Sequence, residues 1–299
     1  MIKDSVLIWQ LDVVLCGGIF EIFKNDGENI YMLDVMLVCL AFGALSGILA
    51  GLFGVGGGIV LVPFFIFLFE RQGVSEHFLV LMAVATSLAT MIVTSIATLL
   101  AHHRLGAVIW HYVWRLSAGI FLGVSVGAYV ADYLLSDNLR FIFALYLFYV
   151  AVQMALQLRT PLRKKPVQVT KWLLNLAGIM IGFVSAVLGI GGGTLTVPLL
   201  AKYQVPMRNA VAVSSACGLL IAVMGSVSYV WLGWNKTDLP IGSFGYVYLP
   251  AFLGIIMSSV FTAPIGATWA NRLPTKKLKQ YFSILLFAVA GKLLWPFMS

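Results

Sequence analysis

Apolar runs long enough to cross a lipid bilayer recur in this chain from about residue 33 to the C-terminus, and that recurrence leaves few folds open. The hydrocarbon core is about 30 Å thick, so a crossing helix needs about 20 mostly apolar residues. Water is absent there, and an open strand edge would leave its N–H and C=O groups unpaired, so the runs read as helices. Composition agrees: 61% of the 299 residues are hydrophobic and 10% are charged, with a mean hydropathy of +0.99. Soluble domains sit nearer half apolar and a quarter charged. The expected fold class is an all-α integral membrane protein.

The predicted segments are 33–53, 56–69, 79–101, 112–132 and 139–157, then 171–190, 193–203, 208–232, 246–270 and 279–297. They divide the chain into a first membrane repeat (33–157), a basic linker (158–170) and a second repeat (171–299). Residues 1–32 stand apart. Residues 5–23 are apolar but carry Asp12 and Glu21, and lack the basic start and cleavage site of a signal peptide. An interfacial helix or an extra spanning helix is expected there. Cys16, Cys39 and Cys217 are isolated and odd in number, which points to neither a disulfide framework nor a metal site.

The two halves repeat. Residues 47–63 read GILAGLFGVGGGIVLVP and residues 182–198 read GFVSAVLGIGGGTLTVP. They are identical at Gly47, Gly54, Gly56, Gly57, Gly58, Val62 and Pro63. Met82 to Ser87 (MAVATS) matches Asn209 to Ser214 (NAVAVS), and Gly127-Ala128 matches Gly266-Ala267. Self-similarity in the same order signals duplication. Each half holds an odd number of segments, so two halves in series run in opposite senses through the bilayer, as an inverted repeat.

Loop charge sets the orientation. With the linker in the cytoplasm, thirteen of the 19 Lys and Arg fall on that side, including Arg104, Arg115, Arg159, Lys164, Lys202, Arg208 and Lys276. This is the positive-inside pattern, and it explains the net charge of +8 without a nucleic-acid partner. It puts the C-terminus outside and the protein in the cytoplasmic (inner) membrane as a multi-pass chain.

The second and seventh segments are short. At a rise of 1.5 Å per residue, 193–203 covers roughly half the hydrocarbon core and 56–69 about two thirds. Each follows a Gly-rich turn with no polar loop, so each turn is expected within the membrane. Short, Gly-interrupted segments at equivalent places in two halves mark a midplane binding site. Glycine lets the backbone turn sharply and lets a ligand approach it. The helix that follows offers free N–H groups and a partial positive charge, suited to a small oxyanion. The candidate binding residues are Gly56, Gly57, Gly58, Gly191, Gly192, Gly193 and Thr194, with the nearby hydroxyls Thr86, Ser87, Ser214 and Ser215 as neutral donors. Close helix packing is the competing explanation for small residues, and helix–helix hydrogen bonding for the hydroxyls.

Other patterns carry less. His102, His103 and Arg104 sit at a predicted cytoplasmic helix end, where positive charge is favourable in itself; as a group they could also form an anion-concentrating vestibule. Gly123-Val-Ser-Val-Gly127 matches a hydrolase nucleophile elbow, but it lies inside an apolar helix and lacks that motif's strand-to-helix setting. The GxGGG turns lack the strand, ribose-binding acid or Gly-Lys-Ser/Thr ending of nucleotide motifs. Strong apolar segments carry no central carboxylate, which argues against a cation substrate.

At the two GxGGG turns the chain resembles the TauE/SafE family of sulfite exporters, also described as sulfite/organosulfonate permeases. Gly51 to Pro63, Gly182 to Pro198, Thr86-Ser87, the run Arg104 to Trp110 (RLGAVIW), and Leu273-Pro274 with Lys276 to Lys279 carry the resemblance, which spans about residues 33–297. It implies two homologous halves and transport of small sulfur-containing anions such as sulfite and sulfonates, with the Gly turns and nearby Ser and Thr as the site. Val213 stands where the first repeat has Thr86, so the site need not be symmetric. The expected activity is secondary transport by alternating access; an anion channel of the same architecture, or a permease for another small carboxylate or oxyanion, is the alternative. No enzymatic role, cofactor or metal is expected. The expected partners are the anion and the lipid bilayer, with proton or sodium as the open choices of coupling ion.

Overall fold

The computed structural model describes residues 28–54, 56–134, 136–157, 171–236, 238–270 and 275–294. The segment 5–23, most of the expected N-terminal region and the linker 158–170 lie outside the described residues. Among the described residues, ten helices follow in chain order. The first series is α1 (Glu28–Phe53), α2 (Gly58–Arg71), α3 (Glu76–Arg104), α4 (Trp110–Tyr133) and α5 (Ser136–Gln157). The second is α6 (Lys171–Leu188), α7 (Gly193–Lys202), α8 (Met207–Gly233), α9 (Leu249–Trp269) and α10 (Thr275–Leu294). The chain is an all-α membrane protein, with α1, α3, α4, α8 and α9 each long and apolar enough to cross a bilayer.

Two features depart from the predicted segments. Before α9 the chain forms a short antiparallel hairpin, β1 (Ser243–Phe244) on β2 (Val247–Tyr248), within what reads by hydropathy as the start of a helix at 246. Its turn uses Gly245 at φ +57°, and Pro250 then opens α9 in the position where its missing N–H costs nothing. Helix α2 begins at Gly58 rather than at 56, because the Gly turn consumes the first residues of its run, whereas α7 begins at Gly193 as expected. Pro63 and Pro198 lie five residues after the first residue of α2 and α7. Each removes one helical N–H, which leaves the carbonyl four residues earlier, on Ile59 or Thr194, without that bond.

Helix α3 and helix α8 form the centre. Of the most apolar stretch of α3, 83% is buried within the protein, against 33% for α9. The peripheral helices expose Phe121, Leu122 and Val126 on α4, Met180 on α6, and Leu253, Met257 and Phe261 on α9, as lipid-facing surfaces should. Trp114, Trp231 and Trp234, near helix ends, are exposed too, in keeping with an interfacial belt.

The helix partnerships exchange between the two series. Helix α1 packs along α9 and α4 along α6, each the first helix of one series against the fourth of the other. The third helices pack together, as do the fifth, where Phe148 meets Phe287 edge-on at 5.4 Å. Small residues make the tight pairs: Gly266 of α9 lies against the Ile48 carbonyl of α1, and Gly127 of α4 against the Phe183 carbonyl of α6. Gly123 in the same α4 stripe faces Ile179, and Ser125 is half-buried and donates to the Phe121 carbonyl of its own helix at 3.0 Å. The GxSxG match is therefore a helix-packing stripe.

Candidate functional site: two glycine turns in contact

The first turn takes three residues through left-handed backbone, Gly54 (φ +66°), Gly56 (+72°) and Gly57 (+85°). Only glycine adopts such angles without steric cost. The second turn needs this at Gly189 alone (+65°), while Gly192 is right-handed at φ −56°. Gly192 is instead confined by its neighbours: a Cβ there would stand 2.9 Å from Ile221 Cδ1 and 3.1 Å from Thr196 Oγ1. The glycines of both turns are buried.

The turns touch. A Cβ on Gly58, the first residue of α2, would overlap the carbonyl oxygen of Gly189 in the other turn and stand 3.1 Å from Ile190 Cα. Two side chains then hold the arrangement reciprocally. Ser87 on α3 donates to the Gly189 carbonyl at 2.9 Å, and Ser214 on α8 donates to the Gly54 carbonyl at 2.8 Å. Ser87 and Ser214 are equivalent positions of the sequence repeat, and so are Gly189 and Gly54. Each central helix thus pins the turn of the other series. The single O–H of each serine is spent on a carbonyl, so Ser87 and Ser214, as placed, position the turns.

The helix starts beyond the turns differ in chemistry. On α2 the first side chains are Ile59 and Leu61, both buried, and Met91 of α3 packs against Gly56 and Gly58. On α7 the same positions are Thr194 and Thr196. Thr194 Oγ1 lies 2.5 Å from the phenol oxygen of Tyr146 on α5. Thr196 is fully buried, its hydroxyl has no hydrogen-bond partner, and it lies against Gly192. A buried unpaired hydroxyl is costly, and this one is directed back at the helix start, where N–H groups lack intrahelical partners. Thr196 and Tyr146 escaped the sequence reading. The contrast of Thr-Leu-Thr with Ile-Val-Leu between the repeats was the available signal for the first; Tyr146 gave none, being distant in the chain.

The remaining predicted residues scatter. Thr86 Oγ1 accepts the backbone N–H of Tyr248 at 3.0 Å, tying the hairpin to α3. Ser215 donates to the Val211 carbonyl of its own helix at 3.1 Å. Thr94, unselected from sequence, donates to the Gly56 carbonyl at 3.2 Å. The expected cluster of His102, His103 and Arg104 splits: His102 is 1% exposed, whereas His103 and Arg104 are exposed. His103 sets its ring edge-on to Trp110 at 5.8 Å. Successive helical residues point about 100° apart, which is why three neighbours do not share one surface.

The comparisons agree with this architecture. The profile described as "Sulfite exporter TauE/SafE" matches residues 39–293. A "Probable membrane transporter protein" of Haemophilus influenzae is 38% identical over 263 residues, covering 87% of this chain and 98% of that one. A second, from Methanocaldococcus jannaschii, is 27% identical over 273 residues, covering 89% and 96%. "Sulfite exporter TauE/SafE family protein 5" of Arabidopsis thaliana is 30% identical over 87 residues, 29% of this chain and 19% of its own length. No solved structure matches. With the profile covering most of the chain and the paired turns inside the matched region, this multi-pass helical protein belongs to the sulfite exporter TauE/SafE family of membrane transporters.

Proposed function

We propose that this chain is a secondary transporter that moves small sulfur-containing anions, sulfite or organosulfonates, by alternating access, with the anion held where α2 and α7 begin. The observation that carries the reading is the start of α7. A buried hydroxyl without a partner, Thr196, and the Tyr146–Thr194 pair stand at the helix N-terminus that follows the turn against which Gly58 of α2 packs. Unpaired N–H groups and the helix dipole favour an anion there, and hydroxyls add donors without a buried charge. The contact of the two turns makes the site sensitive to motion of one series against the other.

We read the two series as an inverted repeat about an axis in the membrane plane. The exchange of helix partners and the reciprocal Ser87 and Ser214 bonds support it. Lys and Arg placement supports a cytoplasmic linker, an outer C-terminus and an inner-membrane location.

The test is flux into liposomes carrying the purified protein, with the anions sulfite, sulfoacetate, thiosulfate and chloride and the zwitterionic sulfonate taurine offered in turn. The expected result is saturable flux of one or more sulfur anions, stimulated by the same anion on the far side. It should be lost on changing Gly57 or Gly192 to a bulky residue in protein that still folds. Linear flux with single-channel currents would make the protein a channel, and absence of flux for every anion would overturn the substrate class.

A further inference from the structure

His102 stands in the last turn of α3 with 1% of its surface exposed, and neither ring nitrogen has a hydrogen-bond partner. A neutral imidazole has one N–H donor and one bare nitrogen. Burying both unpaired is unfavourable, and a leucine would fill the same space without that cost. The surroundings show what the ring is suited to meet. The backbone carbonyl of Gly51 faces it without closing a hydrogen bond. Gly51 lies in the last turn of α1, three residues before the Gly54 turn. A helix C-terminus carries partial negative charge and favours a cation beside it.

The charges around the ring are few. From α8, the Arg208 guanidinium acts on it, and Arg208 is held by donating to the Leu105 carbonyl at 2.7 Å. Its own helix adds His103 and Arg104, both turned to solvent. The described side chains of α1, from Met36 to Phe53, and all of α9 include no Asp, Glu, Lys, Arg or His. Arg208 is thus the charge from a neighbouring helix that acts on the ring. An anion entering beside Arg208 would offset that charge, and a protonated ring could then donate to both the anion and the Gly51 carbonyl.

We propose that His102 is the proton-binding site that couples anion movement to the proton gradient, in symport. This rests on the transport reading above. The ring nitrogen that is bare takes a proton from water on the side from which the anion enters. It holds that proton as N–H⁺ while the anion is bound, and returns it to water when the anion leaves. No bond other than N–H forms or breaks, and the ring ends neutral. The link to the site runs through α1, whose last turn the charged ring grips and whose end becomes the first glycine turn.

The experiment uses the full chain in liposomes and the anion that the wild type exchanges best among sulfite, sulfoacetate, thiosulfate and chloride. Two quantities are measured: exchange of labelled against unlabelled anion at equal pH, and accumulation of labelled anion driven by an imposed pH gradient. Wild type should show both. His102→Gln and His102→Asn should lose gradient-driven accumulation, falling to the level seen with no gradient, while exchange falls far less. His111→Gln, an exposed histidine on α4, should keep both. Proton chemistry of the anion itself in water is common to all variants, so the difference isolates His102. Accumulation by His102→Gln equal to wild type overturns the proposal and leaves transport standing. So does wild-type exchange that ignores the gradient. Loss of exchange together with accumulation in both His102 variants makes the ring structural and also overturns it. A wild type that exchanges no anion removes the transport reading, and this proposal with it.

Discussion

Gly58→Ala tests the contact between the turns with the smallest possible change. Gly58 has no left-handed requirement and begins α2, so alanine suits its local backbone and gains at most about 1 kcal/mol of helix propensity. Space opposes it. The added carbon would overlap the Gly189 carbonyl and stand 3.1 Å from Ile190 Cα and 3.0 Å from Met91 Sδ, where carbon atoms normally sit about 3.5–4.0 Å apart. Met91 can swing aside, but the backbone of the opposing turn cannot without moving by roughly 0.5–1 Å. Overpacking of this kind costs about 1–3 kcal/mol, so a net loss of about 1–2 kcal/mol is expected. If the anion reads the spacing of the turns, its affinity drops by about tenfold for each 1.4 kcal/mol. The assay is concentration-dependent anion uptake in liposomes beside thermal unfolding in detergent. Gly291→Ala is the control, since nothing lies within 4 Å of a Cβ there. Gly58→Ala with wild-type uptake and an unchanged unfolding midpoint would refute the rigid apposition of the turns. A lowered midpoint with wild-type uptake would show that the turns serve packing alone.

Three further outcomes follow from the hydrogen bonds. Ser87→Ala and Ser214→Ala should each destabilise the protein by about 1 kcal/mol, the scale of one such bond in a membrane, and by similar amounts because the bonds are equivalent; denaturant titration would reveal an unequal pair. Tyr146→Phe removes the partner of Thr194 at little cost in volume, so it should raise the anion concentration needed for half-maximal flux more than it lowers stability. Tyr246→Phe takes the 2.6 Å donor away from the Asp132 carboxylate, at about 1.5–3 kcal/mol for a bond to a charged group. Burial, with the Asp132 charge beside it, pushes the Tyr246 phenol above its ordinary range. The donor form is therefore complete below pH 10 and lost only as pH rises through the raised value, so the stability gap between wild type and Tyr246→Phe should stay constant from pH 6 to 9.

The helical architecture was legible because hydropathy and the lipid requirement act on every residue of a span, and the break points were legible because glycine at Gly54 to Gly58 and Gly189 to Gly193 has few other uses inside an apolar run. The hairpin at 243–248 was not, since two residues per strand leave no period to detect and Phe244, Tyr246 and Tyr248 read as membrane-apolar. Hydroxyl function was the hardest to read. Ser87, Ser214, Thr86 and Thr196 look alike in sequence, yet the first two donate to the facing turn, the third accepts from a hairpin N–H, and the fourth is unpartnered. Which of these a hydroxyl does depends on atoms tens of residues away. His102 and His103 make the same point, for adjacent positions on one helix differ from full burial to exposure by rotation alone.

The paired turns separate two tasks that a duplicated sequence begins by sharing. Holding is done symmetrically: each central helix uses the equivalent serine to fix the equivalent carbonyl of the other series. Chemistry at the helix starts is asymmetric, with Thr194 and Thr196 on α7 at the positions that Ile59 and Leu61 take on α2. The backbone also differs, three left-handed glycines against one. Two identical polar starts in contact would offer an anion two equivalent places and no preferred one. One polar start and one apolar start give, on the transport reading, a single seat. On the transport reading, the symmetric serines then keep the turns matched as the two series exchange positions. That assigns substrate choice to Thr194, Thr196 and Tyr146, and assigns the ability to move to Ser87, Ser214 and the glycines between them.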